Sequence, residues 1–517
     1  MKAKLTFLLS ILSLFMLFCA CEDNDDNKSK DKEEETDNEY VNNWILDSMS
    51  MYYLWNDKLP KESDLNFNAD PYDFFDSLLG YEASLYDGYP FSRMEGTHIS
   101  LPKSAVADNA TTSSDLGFEF TVAWYENPRV AITIIYVKKG TQAEAMGLKR
   151  GQAIIKVDDK NLYDKDETAL GGLYWVDALK RGKSNYKIDI YDPATKEIKT
   201  DQILYTTPNY QENPIYLDSI YTINNRSIGY IMYNSYEAGG EAALPYDVEL
   251  AQIFTRFERE GVKDLIFDLR YNGGGYTRSA KFIVSALVPI TRSAKDIFEV
   301  KTYNPSLQAQ LDKLPDTNLA KISWMYEYLT DNIENSNGQK LSPIATLGKQ
   351  LDNICFIGTS YTASASEMTI NTLNPYYKEA GKNIYLVGEN TVGKDVGSWA
   401  IYEDNNERNT YVLWPITFKS HNKLYPSEES SNYSEGFKPD VEADEFKTLA
   451  SGLKGLGNKD ETLLSAAIAK LTGGETKSYT KSDAEDMVIR GKSSLNAKKN
   501  RNQMYTDRKD IKSLNIK

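Results

Sequence analysis

The sequence predicts a multidomain protein of mixed α+β and α/β class: a small helical front, a compact β domain and an α/β core. Three observations carry that expectation. The chain has 517 residues, room for about three to four folding units. Between about residues 111 and 205 it reads as short β-rich runs separated by glycine and aspartate turns. From about 206 to 455 strand patterns alternate with helical ones, which argues for parallel pairing.

Composition removes several function classes. Lysine and arginine number 59 against 75 acidic residues, a net charge of −16. Such a surface repels phosphate, so a general nucleic-acid binder is not expected. Only two histidines are present, too few for a three-histidine zinc site, and neither a metal nor a cofactor is expected. Of three cysteines, Cys19 and Cys21 lie at the N-terminus and Cys355 is alone in the body, which excludes a disulfide between body cysteines.

The first 20 residues read as an address. Lys2 and Lys4 precede an apolar run from Leu5 to Phe18, broken only by Thr6, Ser10 and Ser13. The run is too short to span a bilayer and suits a signal peptide. It ends Leu17-Phe18-Cys19-Ala20-Cys21, which resembles a bacterial lipoprotein signal cleaved before Cys21, with lipid on that sulfur. Residues 21–39 are polar and largely acidic, as in Glu33-Glu34-Glu35, and are expected to be a solvated linker.

Residues 40–110 read as a helical N-terminal domain. Trp44, Ile45, Met49, Tyr52 and Tyr53 recur at helical spacing, and Asp70-Pro71 has the form of an N-cap followed by proline at the first helical position. In the β domain, Ala131–Val137 is a β-branched strand, Gly140–Gly147 holds a short helix, and Ala153–Val157 is a second strand. In the core, Ile228–Tyr233, Asp264–Leu269, Ile354–Gly358 and Ile384–Val387 are strand candidates, and Asp247–Gly261 is a helix with glycine as its stop. Residues 300–345 read as a polar helical interruption. Within the last segment, 456–517, Leu463 to Leu471 form a helix ended by Gly473-Gly474. Beyond it residues 477–517 carry 11 basic and 5 acidic residues without apolar periodicity, the pattern of a mobile tail.

Three segments carry chemistry. Tyr361-Thr362-Ala363-Ser364-Ala365-Ser366-Glu367 follows a buried strand, and a serine at a helix start gains exposed N–H donors for an oxyanion. The same Ser364-x-x-Glu367 is also a capping box. A serine nucleophile needs a base, and His98 and His421 stand in no catalytic-looking context. Lys394, after the glycine-flanked turn of Val387 to Gly393, serves if burial keeps its amine neutral; otherwise it is a surface lysine. Phe267 to Gly275 ends in a triple glycine that either presents N–H groups to an anion or is a plain turn.

Together these segments resemble the C-terminal processing peptidases, or tail-specific proteases. The family's Asp-Leu-Arg-x-Asn-x-Gly-Gly corresponds to Asp268 to Gly275 and its Ser-Ala-Ser-Glu to Ser364 to Glu367. Its Val-Gly-Glu-x-Thr-x-Gly-Lys corresponds to Val387 to Lys394 and its Gly-x-x-Pro-Asp to Gly436 to Asp440. The resemblance implies a crotonase/ClpP-like core and a serine-type endopeptidase acting through an acyl-enzyme, with Ser364 as nucleophile and Lys394 as base. It implies oxyanion donors at Gly274 and Ala365. Leu116-Gly117-Phe118 resembles the carboxylate-binding loop of a PDZ domain, implying capture of polypeptide substrates by their C-terminal tails. Ser398 stands four residues after the lysine, where many members have glutamine, and Asp395 is expected to raise the lysine's pKa if it points at the amine. The alternative is a non-catalytic hydrophobic-ligand or peptide-binding lipoprotein, an adaptor on the same fold. The lipoprotein signal implies the envelope of a Gram-negative bacterium, with the chain tethered to the outer membrane through lipid alone.

If the N-terminal address is read correctly, Cys21→Ser leaves export intact and removes the anchor. Fractionation at high salt is then expected to move the protein from membranes to the soluble pool; persistence with membranes points to another tether.

Overall fold

The computed structural model describes residues 36–86, 88–96, 114–126, 129–162, 179, 183–431, 433–475, 488–496 and 504–506. The signal segment, Cys21 and His98 lie outside the described residues. Among the described residues no helix is long and apolar enough to cross a membrane.

A six-stranded sheet organises the core. Its order is Val441–Glu442, Asn383–Gly388, Asn353–Gly358, Asp264–Asp268, Arg226–Tyr233 and Ile215–Ile223. The first five are mutually parallel and the last pairs antiparallel. Both faces of the central strands are covered, which is why Leu265-Ile266-Phe267 reads as an unbroken apolar run. Leu265 and Phe267 face the helices Pro245–Arg259, Thr277–Leu287 and Ala365–Glu379, whereas Ile266 faces the helix Thr462–Thr472. Gly473 ends that last helix in the left-handed conformation, as its sequence suggests.

The N-terminal helices Asp37–Tyr52 and Pro71–Ser77 have no core of their own. Val41, Ile45, Met49, Phe74 and Phe75 join the cluster that covers one face of the central sheet. Asp70 caps the second helix by accepting from Tyr72 N–H at 2.9 Å, with Pro71 at its first position.

The β domain does have its own core. Strands Phe118–Glu126, Arg129–Val137, Ala153–Val157, Asn185–Asp192 and Glu197–Tyr205 enclose Phe118, Val122, Ile132, Ile154 and Ile188. A buried ion cluster joins this domain to the central sheet. Arg270, fully buried, lies 2.8 Å from both Asp268 and Glu461, and Arg150 of the β domain reaches Glu445 at 2.7 Å. Arg150 also donates to the Tyr271 hydroxyl and the Ile135 carbonyl. Burial alone would raise the Glu461 carboxyl, but Arg270 and Arg150 draw it down to about 2.

Two expectations need correction. Residues 300–345 are not simply polar and helical. They contain two short helices, Pro305–Asp312 and Leu319–Met325, together with strands, and they place Leu307, Leu311, Trp324 and Met325 in the core. Part of the segment completes a four-stranded antiparallel sheet of Tyr326–Tyr328, Ile297–Thr302, Ile416–His421 and Val396–Ser398. The tail beyond 476 is also not wholly free. Val488–Ser493 adds to the β domain as an edge strand beside Phe118–Glu126, and Leu495, Met504 and Tyr505 are buried. Strand addition uses backbone groups, so it leaves little periodic trace in a sequence.

Removing Arg270 leaves the buried Asp268 without its cation and Glu461 with only Arg150, 3.6 Å away. Arg270→Ala is therefore expected to cost ~3–5 kcal/mol, read as a lower urea midpoint.

Candidate functional site

The strand Asn353–Gly358 ends in a turn that delivers Ser364 to the start of the helix Ala365–Glu379. Ser364 has φ 64° and ψ −116°, a conformation costly for a residue with a β-carbon, on the order of 1–3 kcal/mol. Surrounding bonds hold it there. Thr362 Oγ1 donates to Leu269 O at 2.8 Å, and Ala363 N–H and the Ser366 hydroxyl both donate to Asn272 O. Ser364 is fully buried, and its Oγ has no hydrogen-bond partner.

The expected capping box is present. Glu367 Oε2 accepts from Ser364 N–H at 2.8 Å, and the serine hydroxyl faces the Glu367 N–H in return without reaching hydrogen-bond geometry. The same Oε2 accepts from Lys394 N–H at 2.8 Å, while Oε1 accepts from Gly393 N–H and the Thr391 hydroxyl, each at 2.6 Å. One carboxylate oxygen thus holds the backbones of Ser364 and Lys394, whose nitrogens lie no farther apart than two hydrogen-bond lengths. Burial holds the Glu367 carboxyl above its ordinary range, and these four donors only partly offset it. The sequence offered Glu367 only as a cap; its second role has no local signature.

Lys394 is buried, 2% exposed, and its Nζ has no hydrogen-bond partner. The amine stands 4.4 Å from the centroid of the Phe91 ring. Burial, with repulsion from Arg93, lowers its pKa to about 7, against weaker opposing pulls from Glu82 and Glu367. Asp395 does not act as expected. Its carboxylate turns to Lys419 and the Ser431 hydroxyl, both at 2.9 Å, and leaves the amine alone. Phe91 and Arg93 come from the N-terminal region, where Phe91 N–H donates to the buried Glu82 carboxylate at 2.6 Å. Nothing near Lys394 in sequence points to them.

The glycine turn abuts the serine. A β-carbon on Gly274, whose φ is +107°, would stand 2.7 Å from Ser364 Cβ and 3.0 Å from Ala365 N, so no larger residue fits. Gly274 N–H, however, already donates to Asn272 Oδ1 at 2.9 Å, so this expected oxyanion donor is engaged. Ala365 occupies the first helical position, where an N–H has no partner within the helix.

Other expected groups fall elsewhere. His421 lies between the Thr302 and Ser430 hydroxyls on the antiparallel sheet, and burial lowers its pKa to about 4. Ser398 is buried with an unpartnered hydroxyl. Cys355 is buried in the sheet, and burial pushes its thiol up. In the loop Leu116-Gly117-Phe118, Gly117 N–H donates to Asp115 Oδ1 at 2.7 Å, and Phe118 is packed in the domain core. That loop is less open to a carboxylate than expected, because a side-chain carboxylate already takes its glycine N–H.

Residues 227–443 match the family described as peptidase family S41, and residues 40–93 match the peptidase S41 N-terminal domain. The chain is 23% identical over 349 residues to a chloroplastic C-terminal processing peptidase of Tetradesmus obliquus, covering 63% of this chain and 68% of that one. It also resembles a crystal structure of a protein assigned as an S41 protease from Bacteroides fragilis NCTC 9343. That likeness has a TM-score of 0.60 and 24% identity, over 83% of this chain and 97% of the other.

The Lys394 amine should leave a signature in stability. An unfolded lysine keeps its proton up to ~10.4, so between pH 7 and that value the unfolded state binds more protons and stability rises with pH. From pH 7 to about 9.5 the wild type should gain on the order of 3 kcal/mol that Lys394→Met does not, measured by urea unfolding of both.

Proposed function

The chain belongs to peptidase family S41 and is a serine-type peptidase, and from that premise we propose that it cuts polypeptides with a Ser364–Lys394 dyad. The observation that carries this reading is a pair of buried polar atoms, Ser364 Oγ and Lys394 Nζ, both without partners, on backbones clamped to one Glu367 oxygen. A buried polar atom left unpaired costs ~1–3 kcal/mol, and such a cost suits a site that completes itself with substrate.

In this mechanism neutral Lys394 takes the proton of Ser364 Oγ as that oxygen bonds to the scissile carbonyl carbon. Ala365 N–H, at the positive end of its helix, stabilises the resulting oxyanion, and Gly274 joins it if Asn272 releases its N–H. The Lys394 ammonium then gives its proton to the departing amine, leaving an acyl ester on Ser364. Water attacks that ester, Lys394 accepts its proton and passes it to Ser364 Oγ as the acyl–oxygen bond breaks, and the serine hydroxyl and neutral amine are regenerated. No step calls on a metal or cofactor.

The substrates are polypeptides. Their recognition through C-terminal tails, as in the named relative, is proposed to use the edge of Phe118–Glu126 in a PDZ-like manner once Val488–Ser493, which pairs with that edge, gives way, chiefly by backbone pairing because Asp115 crowds the carboxylate position. Anchoring through lipid on Cys21 in a Gram-negative envelope belongs to the same proposal. A non-catalytic adaptor is the rival reading.

Steady-state kinetics on a fluorogenic polypeptide test the dyad. Ser364→Ala and Lys394→Arg should each lower kcat by ~10⁴-fold or more, the latter because a guanidinium keeps its proton. Wild-type activity should rise with pH along one limb near 7, as the lysine deprotonates, and His421→Ala should keep that limb. An active Lys394→Arg enzyme, or loss of the limb in His421→Ala, replaces the dyad with a serine–histidine mechanism.

A further inference from the structure

The C-terminal segment visits two places that matter to a protease. Val488–Ser493 runs antiparallel to Phe118–Glu126, with Ser493 opposite Thr121 and Val488 opposite Ala123. Phe120 N–H donates to Ser494 Oγ and the Ser493 hydroxyl to Phe120 O, each at 2.8 Å. Farther on, Met504-Tyr505-Thr506 lies as a short strand between the glycine turn and Ser398. Tyr505 N–H donates to Gly275 O at 3.0 Å and its carbonyl accepts from Thr277 N–H at 2.8 Å. On the other side, Ser398 N–H donates to Met504 O at 3.0 Å and Ser398 O accepts from Thr506 N–H at 3.1 Å.

The flanking positions are those of the site. Gly275 follows Gly274, which abuts Ser364, and Ser398 ends the strand Val396–Ser398 that begins two residues after Lys394. A polypeptide whose carbonyl is to be attacked must lie extended beside these elements, and backbone pairing is how an edge accepts any sequence. The Tyr505 side chain then falls into a built pocket. Its ring lies 5.7 Å from Tyr276 and 4.9 Å from Trp414, and 5.1 Å from the Arg93 guanidinium. Ala400, Tyr402 and Val412 close the cluster. Ring edges and faces together with a cation select an aromatic side chain over an aliphatic one.

We propose that Met504–Thr506 occupies the strand position of a polypeptide substrate, so that the chain's own C-terminal segment competes with substrate and the pocket holding Tyr505 is a subsite for an aromatic side chain. This rests on the Ser364 site being the site of hydrolysis. Because the competitor is part of the same chain, its effective concentration is high and independent of dilution. It acts by withholding the open state: substrate affinity falls by the fraction of chains that are open, while the turnover of bound substrate is untouched.

The test uses the full chain with Tyr505→Ala, which empties the pocket, and Tyr505→Pro, which removes the N–H given to Gly275. Both should lower the apparent KM by about tenfold with kcat unchanged, as expected for a segment closed ~90% of the time. A synthetic peptide of residues 502–507 should inhibit Tyr505→Ala competitively, and the same peptide with alanine for tyrosine should not. Unchanged KM in both variants, or a fall in kcat without a change in KM, overturns the proposal. Hydrogen exchange gives a readout that needs no turnover: the Thr277 and Ser398 amides should be protected in wild type and exchange faster in Tyr505→Pro, and equal protection also overturns it. Reaction with a fluorophosphonate separates this from the dyad. Labelling of Ser364 with no effect of the Tyr505 variants defeats the tail proposal alone, whereas no labelling of Ser364 in any variant defeats the dyad.

Discussion

The site depends on one carboxylate. Glu367 sits one turn into a helix and accepts four hydrogen bonds from two chain segments that the sequence keeps apart. Ionised, it is the counterpart of the positive helix end it occupies; fully bonded, it avoids the penalty of an unpaired buried charge. Its oxygens fix where the serine peptide and the lysine peptide stand, and with them the directions in which both side chains leave the backbone. The strained turn at Ser364 and the crowded glycine turn are tolerable because this clamp, with Asn272 on the other side, leaves the backbone no alternative.

Around that clamp three regions of chain each supply something different. The central sheet supplies rigidity: Ser364 and the glycine turn follow neighbouring parallel strands at one end of the sheet, the usual place for chemistry in such folds. The N-terminal region supplies dryness, since Phe91, in the bend before the strand Arg93–Glu95, covers the lysine amine and Arg93 adds a repelling charge. The β domain is tied in by the cluster of Arg150, Arg270, Glu445 and Glu461, immediately beside the glycine turn. A displacement of Arg150 therefore reaches Tyr271, three residues before Gly274, through a single hydrogen bond.

Much of this was legible in the amino-acid order, for physical reasons. The fully buried strands declare themselves as apolar runs such as Leu265-Ile266-Phe267, and the helix stops at Gly261 and Gly473 follow from left-handed backbone that glycine adopts freely. Short motifs placed Ser364, Lys394 and Gly274 near one another because each lies on a turn that follows a recognisable strand. What stayed hidden is long-range. The antiparallel sheet of residues 297–302, 326–328, 396–398 and 416–421 uses strands of three to six residues, too short to show a period. The role of Phe91, the engagement of Gly274 N–H by Asn272 and the retreat of Asp395 to Lys419 are side-chain choices made only after the chain has closed. The docked tail left no trace because it pairs through its backbone and buries only isolated side chains, Leu495, Met504 and Tyr505, which show no period.

The covering of Lys394 by Phe91 has a temporal meaning as well. The ring belongs to a part of the chain that is synthesised early, and the amine to a part synthesised late. Contacts of such long sequence separation form late in folding, because the loop between them must be closed before they return any energy. Until they form, the amine is wet and protonated at neutral pH, and on the proposed mechanism the serine has no base. On the proposed mechanism a nascent or partly unfolded copy cannot cut, and cutting power arrives with the last stage of assembly.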